Sequence, residues 1–118
     1  MQNEDFFRDI CVALDSWVAS ATNAVIDETS DLIWVENAEL YRRMQNTLGA
    51  ADIEYQDIQE IFSECFRGLL VSILTILDGG TALAEKGRLY LTDENGSKLG
   101  EGLHEKFVSY LIDTGRLK

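Results

Sequence analysis

The chain has 118 residues, 46% apolar and 26% charged, with a formal net charge of −11. Length and composition describe one globular domain, residues 1–118, with enough apolar material for a core, and they exclude a disordered chain. An acid surplus of that size repels nucleic acid and anionic lipid and attracts cations and basic surfaces.

Residues 4–26 read as one amphipathic helix, because Phe6, Phe7, Ile10, Cys11, Leu14, Trp17, Val18, Ala21 and Val25 recur at three- and four-residue steps. Asn3 is its expected N-cap, and Glu4 and Asp5 suit the positive end of the helix dipole. Residues 27–35 are ambiguous. Thr29, Ser30 and Asp31 suggest a loop or cap, and Leu32–Val35 reads either as a short strand or as a turn leading into the next helix. A second helix is predicted from Glu36 to Leu48, with Leu40, Tyr41, Met44 and Leu48 inward and Gly49 as its stop.

A third helix is predicted from Asp52 or Glu54 to Asp78, with an apolar stripe of Ile58, Ile61, Phe62, Cys65, Phe66, Leu69, Leu70, Ile73, Leu74 and Leu77. Its second half, GLLVSILTIL, is apolar nearly all round and is expected to be the buried centre of the fold. Gly68 within it costs about 1 kcal/mol relative to alanine, which a close helix crossing would offset. Gly79-Gly80 ends this helix, and Thr81–Lys86 can add one helical turn. Residues 88–92 then alternate like a strand, and Asn95-Gly96 before Ser97-Lys98-Leu99 signals a hairpin packed on the helices. Residues 103–113 close the chain as a helix, with Leu103, Phe107, Val108, Leu111 and Ile112 inward. The expected fold is mainly α with one small β-hairpin near residues 88–100 (α+β): about four helices, the third central.

The start of the chain carries no basic, apolar leader, and the uncharged stretch Gly68–Leu77 is about half of what a bilayer requires. The expectation is a cytoplasmic protein without membrane contact. Cys11 and Cys65 both fall on apolar stripes and are expected to be reduced, buried hydrophobes.

Catalytic signatures are broken or missing. The single histidine, His104, would have to serve any Ser-His or Cys-His pair, and no GxSxG is present. Glu101-x-x-His104 is one copy of a motif that di-iron bundles need twice, and His104-Glu105 begins an HExxH string whose second histidine is replaced by Val108. The glycine pairs do not form a phosphate-binding loop. No catalytic residue, metal site or cofactor is therefore assigned.

Carboxylates remain. Residues 1–64 hold fourteen acidic side chains against Arg8, Arg42 and Arg43, which accounts for the whole net charge, while residues 65–118 hold seven of each sign. Glu54, Asp57, Glu60 and Glu64 recur at helical steps, and Asp5 and Asp9 stack at i, i+4. A solvated helix face explains them, and so does a docking surface for a basic partner. The asymmetry favours docking, as does the presence of Trp34, Tyr41 and Tyr55 in the same half, since aromatic anchors ringed by charge characterise protein interfaces.

The C-terminal segment LDGGTALAEKGRLYLTDENGSKLGEGLHEKFVSYLIDTG, residues 77–115, resembles the endings of small bacterial proteins in which a helix, a double glycine, a short hairpin and a last helix follow one another. In size and charge the chain resembles the immunity proteins that neutralise polymorphic or contact-dependent bacterial toxins. That resemblance implies a non-enzymatic antidote that occludes a basic toxin domain, possibly a nuclease, with an acidic surface; it carries over no binding residue by position, and the charge and aromatic pattern itself supplies the partner-binding candidates Asp5, Asp9, Glu54, Asp57, Glu60, Glu64, Trp34, Tyr41 and Tyr55. Two other readings stand beside it: a structural or regulatory homo-oligomer held by the last helix and hairpin, and a small enzyme using His104 with carboxylates.

Overall fold

A computed structural model describes residues 1–118. It contains four α-helices: α1 (Asn3–Ile26), α2 (Ala38–Ala50), α3 (Tyr55–Leu77) and α4 (Leu103–Asp113), with a 3₁₀ turn at Ala82–Glu85. All four helices fall where the apolar periodicity places them, within two or three residues at each end. The mainly helical expectation holds. The chain divides into two compact units, Met1–Val12 with Arg67–Lys118 and Ala13–Phe66.

The first unit is organised around α4. Leu103, Phe107 and Leu111 lie at i, i+4 and i+8, so they form one stripe, and all three are buried. Phe7 and Cys11 from α1, Leu74 from α3 and Leu99 complete the cluster. The Phe7 ring packs 5.4 Å from Phe107 and 5.7 Å from Tyr110, centroid to centroid, a tilted geometry that aromatic quadrupoles favour.

The start of α4 is capped from a distance. Gly102, its N-cap residue, has φ 69° and no side chain to offer. Asp78, one residue past the end of α3, supplies the missing acceptors. Its Oδ1 accepts the Leu103 N–H at 2.8 Å and its Oδ2 the His104 N–H at 2.8 Å. The same Oδ2 also bonds the His104 imidazole through Nδ1. Two orphan donors of a helix N-terminus are thereby satisfied, with negative charge at the positive end of the dipole.

The hairpin expected near residues 88–100 is not formed: the structure has no β-strand there, only an isolated antiparallel bridge between Thr92 and Lys98. The Asn95-Gly96 turn itself is present, with Gly96 at φ 79°. Two backbone bonds flank the bridge, Leu99 N–H to the Leu91 carbonyl at 3.0 Å and Asp93 N–H to the Ser97 carbonyl at 2.9 Å, and Asp93 shapes the turn. Its Oδ1 accepts the N–H groups of Asn95 and Ser97, so a side chain closes the turn. Beyond the bridge Leu99 enters the core and Gly100, at φ 98°, turns the chain away.

The expectation of a buried, central third helix is also corrected. Leu74 is the one buried residue of α3. Leu69 is 60% exposed and Ile73 45%. A Cβ added at Gly68 would meet nothing within 4 Å, so no close helix crossing occurs there. The run GLLVSILTIL is apolar all round, yet only the side bearing Leu70, Val71, Leu74 and Leu77 meets the core. Cys65, expected to be buried, is exposed, whereas Cys11 is buried.

In the second unit, a polar clamp joins the end of α1 to α2. Gln45, buried on α2, donates from Nε2 to the Ala24 carbonyl at 2.8 Å. Arg42 donates to the carbonyls of Glu28 (2.7 Å) and Ser30 (3.4 Å) and to Gln45 Oε1 (3.0 Å). Residues 27–37 contain no strand. Asp27 accepts from the Thr29 N–H and hydroxyl, Asp31 from the Ile33 N–H, and Asn37 caps α2 through the Leu40 N–H. The Asn37 cap starts α2 at Ala38 instead of Glu36. Gly49 does not stop it; the helix runs to Ala50, and Asp52 at φ 55° makes the left-handed turn.

Asp78 generates a prediction. Its burial pushes the carboxyl pKa up, but hydrogen bonds from the His104 backbone and ring and from the Leu103 N–H outweigh this and hold it below the ordinary 3.8. A carboxyl depressed on folding contributes stability that is complete above 3.8 and is lost as pH falls through the folded value. Asp78→Ala should cost about 2 kcal/mol in urea unfolding at neutral pH. In Asp78→Asn the acid decline of stability should be shallower than in wild type.

Candidate functional site

The second unit presents an exposed aromatic run. Trp17 from α1 and Trp34 from the α1–α2 connection meet edge to face, with centroids 5.2 Å apart and planes at 88°. Trp34 meets Tyr41 of α2 at 6.0 Å and 73°. Local hydrogen bonding fixes Trp34 in place, since Asp31 accepts the Ile33 N–H and the Leu32 carbonyl accepts the Val35 N–H. The rings hold one another but remain open to water: Trp17 is 52% exposed, Trp34 42%, and the adjoining Ile33 87%. On α2, Leu40 and Met44, one turn apart and expected to face inward, are exposed as well.

This unit carries most of the charge. Ala13–Phe66 contains eleven acidic side chains against Arg42 and Arg43, a net of −9 out of −11. Arg42 is committed to the carbonyls of the α1–α2 connection. Glu54, Asp57, Glu60 and Glu64 are exposed and make no ion pair. Three of them share a row on α3 at positions 57, 60 and 64, and Glu54 precedes the helix, its carbonyl accepting the Asp57 N–H.

Of the residues singled out from sequence, the structure brings Trp34 and Tyr41 into ring contact. Tyr55 is 40% exposed and makes no ring contact. Asp5 and Asp9 belong to the first unit. Asp5 is partly engaged there, accepting the Gln2 N–H at 3.0 Å and facing Arg8 at 3.7 Å. Trp17 and Ile33 were not expected in a site. Trp17 lies on the apolar stripe of α1 and reads as core. Ile33 carried a usable signal, because an apolar run bounded by Asp27, Asp31 and Asn37 is a turn that cannot bury it.

His104 is held by Asp78 through Nδ1, which leaves Nε2 facing Glu105 at 3.8 Å. This orients an imidazole, but neither ring nitrogen is bonded to a hydroxyl or thiol. The Asp78 carboxylate is occupied in capping α4. A groove of about 510 Å³ in the first unit is lined by Glu4, Phe7, Glu105, Lys106, Tyr110 and Asp113, among others. No group of three or more His, Cys, Asp or Glu side chains is placed to hold a metal ion, and no helix is long and apolar enough to cross a membrane.

Comparison with protein-family models, with curated proteins and with solved structures gave no match. The function is therefore argued from the site alone. Indole and phenol faces beside carboxylates suit recognition: the rings offer rigid contact area and cation-binding faces at small entropic cost.

Since edge-to-face pairs are worth about 0.5–1.5 kcal/mol each, Trp34→Ala should lower stability by no more than about 3 kcal/mol, one such term for each of its two contacts. The variant should stay folded by far-UV circular dichroism and lose the near-UV signal of the coupled indoles.

Proposed function

We propose that this chain is a non-enzymatic binding module whose second unit docks a basic protein, and that it serves as an immunity protein occluding a basic toxin domain, possibly a nuclease. The observation that carries the reading is the Trp17–Trp34–Tyr41 run, open to water within a unit of net charge −9. Large contiguous apolar patches are rarely left open on monomeric proteins, and tryptophan and tyrosine are enriched among the residues that dominate interface energetics. The resemblance in size and charge to antidote proteins points the same way. In this role the protein acts in the cytoplasm, where a toxin domain would meet its target.

Charge supplies the kinetics and the rings supply the residence time. Glu54, Asp57, Glu60 and Glu64, unpaired and exposed, draw a cationic surface in, raising association toward about 10⁸–10⁹ M⁻¹s⁻¹ at low salt. Arginine or lysine side chains of the partner then find indole faces to lie on, which slows dissociation. A nuclease cleft built for phosphates offers such cations.

The test titrates this chain by surface plasmon resonance against purified basic toxin nuclease domains. Lysine substitutions at Glu54, Asp57 and Glu60 together should slow association at least tenfold and flatten its salt dependence. Trp34→Ala should leave the on-rate nearly unchanged and speed dissociation by about 30-fold, the loss of one anchor. Wild-type kinetics in both variants would overturn the proposal.

A further inference from the structure

The outward side of residues 88–98 carries a cluster that docking of a basic protein does not use. It lies wholly within the first unit. Leu91 and Leu99 turn to the core and are joined by a backbone bond, the Leu99 N–H donating to the Leu91 carbonyl at 3.0 Å. Successive side chains of an extended chain point to opposite faces. Arg88, Tyr90 and Thr92 therefore share the other side, and Lys98, opposite Thr92 in the bridge, joins them. All four are exposed.

Both cations gather on one ring. Lys98 Nζ is 3.8 Å from the centre of the Tyr90 ring and Arg88 Cζ is 5.6 Å from it. Neither forms an ion pair with a carboxylate, in a chain that holds 21 acidic residues against 10 basic ones. The ring attracts each cation, but the two cations repel one another. Arg88 is also fixed from behind. Its Nη2 donates to the Asp78 carbonyl at 3.0 Å, just past the end of α3, where a helix leaves carbonyls without partners. The guanidinium lies so close over Gly79 that a Cβ there would come within 2.5 Å of Nε. An exposed arginine gives up rotamer freedom when it binds; this one is already placed, with further N–H groups free to donate.

We infer that Arg88, Lys98 and Thr92 form a binding site for a phosphoryl group carried by a small molecule. The guanidinium fork takes two oxygens side by side, the ammonium meets a third as a point charge, and the Thr92 hydroxyl supplies a neutral donor. A dianion beside Tyr90 replaces the repulsion between the two cations with attraction to each. A carboxylate has two oxygens and one charge, and the Arg88 fork alone exhausts it. A long polyanion is disfavoured, because Asp93 and Glu94 adjoin the cluster and the chain carries a net charge of −11.

Titration of the isotope-labelled full chain with inorganic phosphate, followed by amide NMR at constant ionic strength, tests the inference. Phosphate should shift the amides of residues 88–98 and saturate in roughly the millimolar range, as a ligand of few heavy atoms does on an open site. Acetate should bind about tenfold more weakly or worse. Lys98→Gln should weaken phosphate binding about tenfold, the loss of one charge-assisted hydrogen bond. Arg88→Lys keeps the charge, loses the fork, and should weaken binding to a similar extent. Lys118→Gln removes the same charge at the end of the chain and should leave binding unchanged. Arg88 also holds the Asp78 carbonyl, so if its variant loses helical content, Lys98→Gln decides alone. Phenyl phosphate is the second probe: tighter binding than phosphate points to an organic monoester and equal binding to the free ion, and either supports the site. No saturable shift at these residues up to about 50 mM phosphate, equal binding of acetate, or an equal loss in Lys118→Gln would overturn the inference. None of these outcomes touches the aromatic site, which belongs to the other unit and is read by its kinetics on a basic partner.

Discussion

The first unit depends on one carboxylate. Asp78 closes the first turn of α4 across 25 residues of chain, where Gly102 has nothing to cap with. With that bond made, Leu103, Phe107 and Leu111 are aimed at Phe7, Cys11 and Leu74. Without it, the donors of a partly buried helix end would lack partners, and the stripe of α4 would lose its fixed register against the core. Because both ends of the 79–102 segment are pinned, its interior can be irregular. A 3₁₀ turn, one isolated bridge and several left-handed glycines suffice to connect the ends.

The second unit solves a different problem with little apolar burial. Val18, Ala21, Thr22 and Ala24 are buried along α1, and the complementary polar clamp is Gln45 with Arg42. Small side chains let helices approach, and the clamp satisfies the carbonyls at the end of α1. The larger aromatics are thereby freed from core duty. Trp17, Trp34 and Tyr41 support one another at the surface, an arrangement of more use for recognition than for stability.

The positions and types of the helices were legible because apolar spacing at three and four residues survives in α1, α3 and α4 without interruption. Leu103, Phe107 and Leu111 of the α4 stripe were readable, whereas Ile112, which the same spacing places inward, is half exposed. What periodicity does not report is whether anything covers a face: the exposed row of Ile61, Leu69, Ile73 and Ile76 has the same pattern as the side of α3 that meets the core. For the same reason Trp17 read as interior. The hairpin stops at one bridge, because Gly100 at φ 98° turns the chain away just beyond Leu99. The Asp78–His104 link was invisible because the two residues are 26 positions apart and neither belongs to a motif. In the candidate site, Trp34 and Tyr41 were legible from their place among acids and Ile33 from the turn residues around it, whereas Trp17 shares the spacing of a core residue.

A chain that leaves Ile33, Leu69 and Ile73 in water needs some means of remaining dispersed. Mutual repulsion among molecules of charge −11 provides it. The carboxylates therefore govern colloidal behaviour. As acidification approaches the isoelectric point near 4.3, that repulsion vanishes while the greasy faces remain, and precipitation of folded molecules sets the lower pH bound for handling the protein.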